Sequence, residues 1–205
     1  MSVINSLKPI RLSKEDHQRL APKPFTEEEI KNIINAVPKV YSDDQQVQKL
    51  TALIHLQVAT GLAIRDAIQL ERENIKDGWL RIRRQKTNRP VIQRLAPNLH
   101  NELSEVLNGN PRFIFWDGKT LPNSTTGLYL KFLRKIMEHA KVYVKGNISH
   151  RFRDTAVDYW LGQGVSLTEI AAALGDTLTI VQKHYADLAS KRMEERLAKM
   201  PVRSF

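Results

Sequence analysis

The 205-residue sequence contains no cysteine, which excludes disulfide bonds and thiolate metal ligands. It also lacks any apolar run near the roughly 20 residues that a membrane-spanning helix needs. Its first residues do not show the charged-then-apolar pattern of a secretory signal. We therefore expect a cytoplasmic protein, nucleoid-associated if the host is bacterial, with no membrane partner.

Several common chemistries are missing as well. The six histidines show no zinc-ligand spacing, and no carboxylate pair has the arrangement of a magnesium-dependent nuclease. Glycine-rich phosphate loops and the Gly-x-Ser-x-Gly turn of serine hydrolases do not occur either. We predict that the protein uses neither a metal ion nor an organic cofactor.

Acidic residues are the minority among the charged ones. The chain has 22 aspartates and glutamates against 32 lysines and arginines, which leaves a net charge of +10. Such an excess indicates a polyanionic partner, with nucleic acid favoured over an anionic membrane, although a merely solvated basic surface is the alternative. Hydrophobic residues make up 41% of the chain, which is typical of a globular protein.

Capping signals divide most of the chain into helices. Capping boxes predict helix starts at Thr26, Ser42 and Ser166, each followed three residues later by Glu or Gln. Ser149 is the expected cap of a helix over residues 149–161. Apolar periodicity predicts further helices over residues 64–70, 97–107 and 128–142, and from about residue 180.

One segment of the chain has the pattern of a β-hairpin. Apolar and basic residues alternate over residues 79–84, turn residues follow at 87–90, and a second strand is predicted over 91–95. Residues 113–116 form a short apolar run that suits either a strand or a buried loop. The predicted fold class is therefore mainly α with a small antiparallel β-sheet (α+β).

Chemistry concentrates in the last third of the sequence. His150 and Arg153 are spaced i and i+3 on a predicted helix, so their side chains share one face. Tyr185 follows just beyond a second, short helical unit. In a strongly basic protein, this set predicts a phosphodiester that is held by a cationic pair and attacked by a phenolic oxygen.

Five short segments follow one another along the chain in an order that is informative when taken together. They are Thr60-Gly61-Leu62-Ala63-Ile64-Arg65-Asp66, Gln85-Lys86-Thr87-Asn88, His150-Arg151-Phe152-Arg153, Leu174-Gly175-Asp176 and His184-Tyr185. Together they resemble the catalytic domain of the tyrosine recombinases, the phage integrase family. That family shows a Thr-Gly-Leu-Arg helix end with an acid nearby, a hairpin lysine, His-x-x-Arg, Leu-Gly-His and a nucleophilic tyrosine. The resemblance covers residues 24–198, nearly the whole chain.

The resemblance implies a role for five residues. Tyr185 would be the nucleophile that forms a covalent 3′-phosphotyrosine bond with DNA. Arg153 and Arg65 would hold the non-bridging phosphate oxygens. His150 would exchange a proton with the phenol or bond the phosphate, and Lys86 would protonate the leaving 5′ oxygen.

Two positions depart from the family pattern. Ala63 stands where the family has arginine, and Arg65 lies two places later, about 200° around a helix from it. Asp176 stands where the family usually has histidine or tryptophan, and an aspartate cannot donate to a phosphate at neutral pH. Both departures leave room for an impaired or repurposed site.

The resemblance implies a site-specific DNA recombinase whose partners are double-stranded DNA and further copies of itself, as a dimer or tetramer on DNA. Two alternatives stay open, a non-catalytic DNA-binding or regulatory protein with the same fold and a type IB topoisomerase-like enzyme. We expect an arm over residues 1–24, a catalytic domain over 25–186 and a tail over 187–205 that is exchanged between protomers. Backbone contacts to DNA are expected from Arg81, Arg83, Arg84, Arg89, Lys131, Arg134, Lys135 and Arg151.

Overall fold

The computed structural model describes residues 22–146 and 148–201, so most of the expected arm lies outside the described residues. The elements follow in chain order as α1 (Glu27–Val40), α2 (Asp44–Thr60), α3 (Ile64–Ile68), a 3₁₀ turn (Arg72–Asn74), β1 (Ile75–Lys76), β2 (Trp79–Arg83), β3 (Pro90–Arg94), α4 (Pro97–Glu105), α5 (Pro122–His139), α6 (His150–Gly162), α7 (Leu167–Leu174) and α8 (Leu178–Leu197). The predicted class, mainly α with a small antiparallel sheet, is confirmed.

The sheet contains the predicted hairpin and one additional strand. Strands β2 and β3 pair antiparallel with Leu80 opposite Gln93 and Ile82 opposite Val91. Strand β1 pairs with the other edge of β2, which gives the order β1-β2-β3. The sequence did not predict β1, because a strand of two residues is too short to show an alternating pattern.

Helix starts follow the capping prediction in two cases and differ in two. Thr26 and Ser166 form complete capping boxes. Helix α2 is capped by Asp43, not Ser42, since the Asp43 carboxylate accepts the Gln46 N–H at 2.7 Å. Ser149 makes no side-chain cap bond to α6, because its helical backbone (φ −88°, ψ −21°) differs from the extended conformation of a capping residue.

Helix α5 begins at Pro122, six residues before the predicted start at 128. Its first turns are rich in Asn, Ser and Thr, which resemble a loop in sequence. The hydroxyls of Thr125 and Thr126 donate back to the carbonyls of Leu121 and Pro122, so they are satisfied within the helix. In the described part of the chain, no helix is long and apolar enough to cross a membrane.

Among residues 22–146 and 148–201, two clusters of buried side chains form the core. The larger one joins α1 to α5 and the sheet, and α6 contributes Phe152 to it. The smaller one lies between α6, α7 and α8 and contains Val157, Leu161 and Tyr185. Helix α6 therefore packs against both clusters, and residues near its start lie where the two meet.

Candidate active site

Arg153 lies on α6 with only 5% of its surface exposed. Its Nη1 donates to the carbonyl of Gly61 at 3.0 Å, and its Nη2 donates to the carbonyl of Leu174 at 3.4 Å. Those carbonyls belong to the C-terminal ends of α2 and α7, where the helix dipole and the unpaired carbonyls favour a cation. Arg153 therefore holds two helix ends together and is itself fixed in place.

One carboxylate joins Arg153 to a second arginine. Asp176, in the short connection between α7 and α8, accepts from Arg153 Nη2 at Oδ2. Its Oδ1 accepts from Arg84 Nη1 at 2.5 Å. Two guanidinium groups from distant parts of the chain therefore converge on one carboxylate.

The burial of Arg84 differs from the sequence-based expectation. Arg84 was expected to reach the DNA backbone, yet it is only 9% exposed and follows the last residue of β2. Its Nε donates to Asp66 Oδ2 at 3.4 Å, and its Nη1 also lies 3.5 Å from the Gly175 carbonyl. Asp66 accepts in addition from the Gln85 N–H at 2.9 Å. Arg84 is thus built into the same centre as Arg153.

Arg65, the second phosphate clamp in our prediction, is exposed on α3. Neighbouring residues on a helix point about 100° apart, and here Asp66 is the one that faces inward, with 6% of its surface exposed. Ala63 caps α3 with an extended backbone, φ −61° and ψ 143°. Helix α3 thus contributes the Asp66 carboxylate to the group formed with Arg84, Arg153 and Asp176, which we call the arginine cluster. Arg65 faces solvent instead.

Lys86 is exposed in the turn between β2 and β3. The residues on either side of it are tied to the arginine cluster. The Gln85 N–H bonds Asp66, and the Thr87 hydroxyl donates to the Gly175 carbonyl at 3.2 Å. These two bonds fix the hairpin tip beside the cluster, with Lys86 between them.

Tyr185 is 1% exposed, and its hydroxyl donates to Asp154 Oδ1 at 2.9 Å. The other oxygen of Asp154 accepts from the backbone N–H of Lys23 at 3.1 Å. Asp154 directly follows Arg153 on α6 and lies one turn after His150, which is exposed. The phenol oxygen therefore lies against the helix that carries both predicted partners.

Arg151 was expected to contact DNA, and the structure shows that it does not face solvent. It is 2% exposed, and it donates to the carbonyls of Lys23 and Val142, each at 2.9 Å. Its Nη2 donates to both oxygens of Glu29, at 3.0 and 3.1 Å, and its guanidinium lies 3.8 Å from the Phe25 ring centre. Arg151 thus fastens the start of α1 to α6.

The other cations expected to meet DNA are exposed. Arg83 donates to the carbonyl of Asn88 at 3.0 Å, and Arg134 pairs with Glu138 at 2.7 Å on α5. The exposed set consists of Arg81, Arg83, Arg89, Lys131, Arg134 and Lys135. No three His, Cys, Asp or Glu side chains within the described residues are grouped to hold a metal ion.

Sequence reasoning missed Arg84 as a site residue, although a signal was present. In a strand that alternates over residues 79–84, Leu80, Ile82 and Arg84 point to one face and Trp79, Arg81 and Arg83 to the other. Leu80 is fully buried in the structure. The alternation of side chains along the strand therefore places Arg84 on the buried face with Leu80, and this was the signal that could have identified it.

Gly175 lets Arg84 approach α7. Its φ of +60° is left-handed, and an added Cβ would lie 2.7 Å from Arg84 Cδ and 2.8 Å from Val91 Cγ2.

We expect Gly175→Ala to lower the free energy of unfolding by about 2–4 kcal/mol through backbone strain and overpacking. Urea denaturation measures this. Gly162→Ala is the matched control, since its Cβ would meet nothing within 4 Å, and equal losses in both variants would contradict the prediction.

Beyond the site, α8 continues without a break past residue 186, where the tail was predicted to begin. Arg192 Nε donates to Asp158 Oδ1 at 2.6 Å, and the hydrogen bonds that its guanidinium donates to Asp158 and Glu195 raise its pKa. Arg196 donates to the carbonyl of Leu161. The second half of α8 therefore packs on α6 of its own chain.

Comparison with known proteins agrees with this architecture. Residues 23–192 match the model of the phage integrase family. The tyrosine recombinase XerA of Pyrococcus furiosus is 24% identical over 193 residues, which is 90% of this chain and 64% of that protein. The catalytic domain of bacteriophage HP1 integrase aligns with a TM-score of 0.65 at 17% identity, covering 90% of this chain and 97% of that one.

A further structure, the XerH site-specific recombinase bound to palindromic difH substrate in a post-cleavage complex, aligns with a TM-score of 0.65 at 21% identity. This match covers 88% of the chain and 54% of XerH, so the chain spans less than two thirds of the length of XerA from Pyrococcus and of XerH. The predicted resemblance is confirmed. On the family match over residues 23–192, the chain belongs to the phage integrase family, the tyrosine recombinases.

Proposed function

We propose that the protein cleaves and rejoins DNA strands through a 3′-phosphotyrosine intermediate, and that it acts at specific sites. The observation that carries this proposal is the junction at the start of α6. There α6 carries the exposed His150 and the buried Arg153, and the Tyr185 phenol oxygen contacts the same helix through Asp154. Membership of the tyrosine recombinase family supports the same chemistry.

The proposed step is a transesterification at phosphorus. The phenol oxygen of Tyr185 attacks, the bond from phosphorus to the 5′ oxygen breaks, and a bond from phosphorus to the tyrosine oxygen forms. His150 takes the phenol proton, and Lys86 gives a proton to the departing 5′ oxygen. Arg153 stabilises the charge that builds on the non-bridging oxygens. The reverse reaction reseals the strand and returns both protons.

Tyr185 must change its surroundings before it can attack. It is 1% exposed and its hydroxyl donates to Asp154, so the phenol oxygen is not presented to solvent. We infer that DNA binding releases this hydrogen bond and frees the phenol. Asp154 directly follows Arg153 on α6, so a shift of Arg153 on binding the phosphate would also move the carboxylate that accepts from Tyr185.

Double-stranded DNA is the proposed partner, held through the exposed cations of the hairpin and of α5. We assign the chemistry to residues 25–186 and self-assembly on DNA to the segment after them. Within that segment Met193 and Leu197 are 49% and 54% exposed on α8 and could contact a second protomer. Exchange of the segment would break the Arg192–Asp158 pair.

A non-catalytic DNA-binding role is the second candidate, and one observation favours it. The carboxylate of Asp176 pairs with both Arg84 and Arg153, which lowers the positive charge that a phosphate meets. In this alternative the protein binds DNA and forms no covalent bond with it.

One experiment separates these functions. We expect the protein, incubated with a randomised library of nicked duplexes that release a short fragment on cleavage, to become covalently attached to a subset of 3′ ends. Denaturing gels and sequencing of the trapped strands detect this. Binding without any adduct would support the non-catalytic role, whereas relaxation of supercoiled plasmids of arbitrary sequence would support the topoisomerase-like alternative.

A further inference from the structure

We propose that Arg84 is the second phosphate-binding guanidinium of this enzyme and replaces the arginine that the family places at position 63. This inference rests on the proposed cleavage of DNA. It assigns to the residue after β2 a role that neither Ala63 nor the exposed Arg65 fulfils.

The first support is the position of the Arg84 side chain. The Asp66 carboxylate ties α3 to Arg84 and to the N–H of its neighbour Gln85. The Gly61 carbonyl, two residues before Ala63, bonds Arg153. Position 63 therefore lies between the two segments that contact the two arginines. Arg84, which follows β2, thus enters the region that an arginine at position 63 would border.

The second support is the shared carboxylate of Asp176. Arg84 and Arg153 each bond one of its two oxygens. A guanidinium matches the oxygens of a carboxylate and those of a phosphate in the same way, because both anions present two acceptors at similar separation. The two arginines are thus spaced to receive two non-bridging oxygens of one phosphate, and Asp176 holds them at that spacing.

The third support is the room that the backbone leaves for Arg84. At Gly175 an added Cβ would lie 2.7 Å from Arg84 Cδ and 3.0 Å from Arg84 Cγ. The arginine therefore runs directly over a position without a side chain, at the end of α7. Arg153 bonds Leu174 and Arg84 contacts Gly175, so both guanidiniums are fixed by the same helix end.

A purely structural role is the competing explanation. Arg84 and Arg153 together balance the charges of Asp66 and Asp176, so Arg84 could serve only to neutralise buried carboxylates. The two explanations differ in whether the cost of losing Arg84 depends on the phosphate itself. A change in the substrate therefore distinguishes them.

The experiment compares cleavage of a normal scissile phosphate with cleavage of a methylphosphonate, which lacks one charged non-bridging oxygen. On the normal phosphate we expect Arg84→Gln to slow single-turnover cleavage by about 10²–10³-fold. On the methylphosphonate we expect the loss to fall to about tenfold or less. Arg112→Gln is the matched control, an exposed arginine that lies outside the hairpin and α5 and pairs with Glu71, and it should change neither rate.

Two further variants test the proposal even if Arg84→Gln fails to fold well. Arg84→Lys keeps the positive charge beside both carboxylates but loses the planar fork, and it should still slow cleavage by about 10²-fold. Ala63→Arg in the Arg84→Gln background should regain at least about tenfold in rate, since one guanidinium is worth more than that. Thermal unfolding reports the folded fraction of each variant.

The outcomes separate clearly. Equal losses on both substrates, or cleavage by Arg84→Lys at the wild-type rate, would overturn the assignment of Arg84 and leave the proposed function standing. Failure of the wild-type protein to form any adduct on a substrate that it binds would overturn the proposed function, and the role of Arg84 with it. A phosphate-dependent loss at Arg84, together with recovery by Ala63→Arg, supports the proposal.

Discussion

Tyr185→Phe should abolish the covalent DNA adduct while the protein still folds and still binds DNA. The substitution removes only the phenol oxygen, and loss of a nucleophile of this kind lowers the rate by at least about 10⁴-fold. The ring still fills its place in the cluster between α6, α7 and α8. Denaturing gels of the trapped 3′ ends measure the adduct, and gel shifts with intact duplex measure DNA binding.

The stability of this variant should fall only moderately. Its lost hydrogen bond leaves Asp154 Oδ1 without the phenol donor, at a cost of about 1–3 kcal/mol. The second oxygen of Asp154 keeps the Lys23 N–H. Tyr159→Phe is the matched control, because that tyrosine is 65% exposed on α6 and should keep the full adduct yield. An undiminished adduct in Tyr185→Phe would mean that another residue is the nucleophile.

Local signals in the sequence predicted most of the fold. The capping boxes at Thr26 and Ser166 form because their geometry needs only a few neighbouring residues. The hairpin of β2 and β3 was predicted for the same reason, since turn chemistry and alternation act within one short segment. The predicted ends of α5 were less accurate. Its first turns are polar, and the Thr125 and Thr126 hydroxyls are satisfied by bonds to Leu121 and Pro122 that the sequence does not reveal.

The site was only partly predictable, since its contacts join residues that are far apart in the chain. The bond between Arg84 and Asp176 spans 92 positions, and that between Tyr185 and Asp154 spans 31. Arg84 and Arg151 were both assigned to the surface because arginine is usually exposed, although strand alternation placed Arg84 on the buried face. The ordered motifs located the helices that carry the site, and tertiary packing decided which side chains entered it.

Arg153→Lys should slow DNA cleavage by at least about 10³-fold, because lysine keeps the charge but lacks the planar fork that grips two phosphate oxygens. Its stability should fall less than that of Arg151→Lys, since an ammonium can still pair with Asp176 at the ends of α2 and α7 although it cannot also reach both carbonyls. Single-turnover cleavage at saturating DNA, normalised to the folded fraction, measures the effect.

Arg151→Lys is the matched comparison, because it makes the same change two residues earlier on the same helix. All three guanidinium nitrogens of Arg151 donate within the protein, on Lys23, Val142 and Glu29 among others, and Arg151 is 2% exposed. A lysine cannot satisfy those acceptors, so this variant should lose about 2–4 kcal/mol of stability and keep the cleavage rate of its folded fraction. The main effect of Arg153→Lys is therefore on the cleavage rate, and the main effect of Arg151→Lys is on stability. If both lost stability alike and both cleaved at the wild-type rate, Arg153 would be a structural arginine and the phosphate would have to be held by other groups.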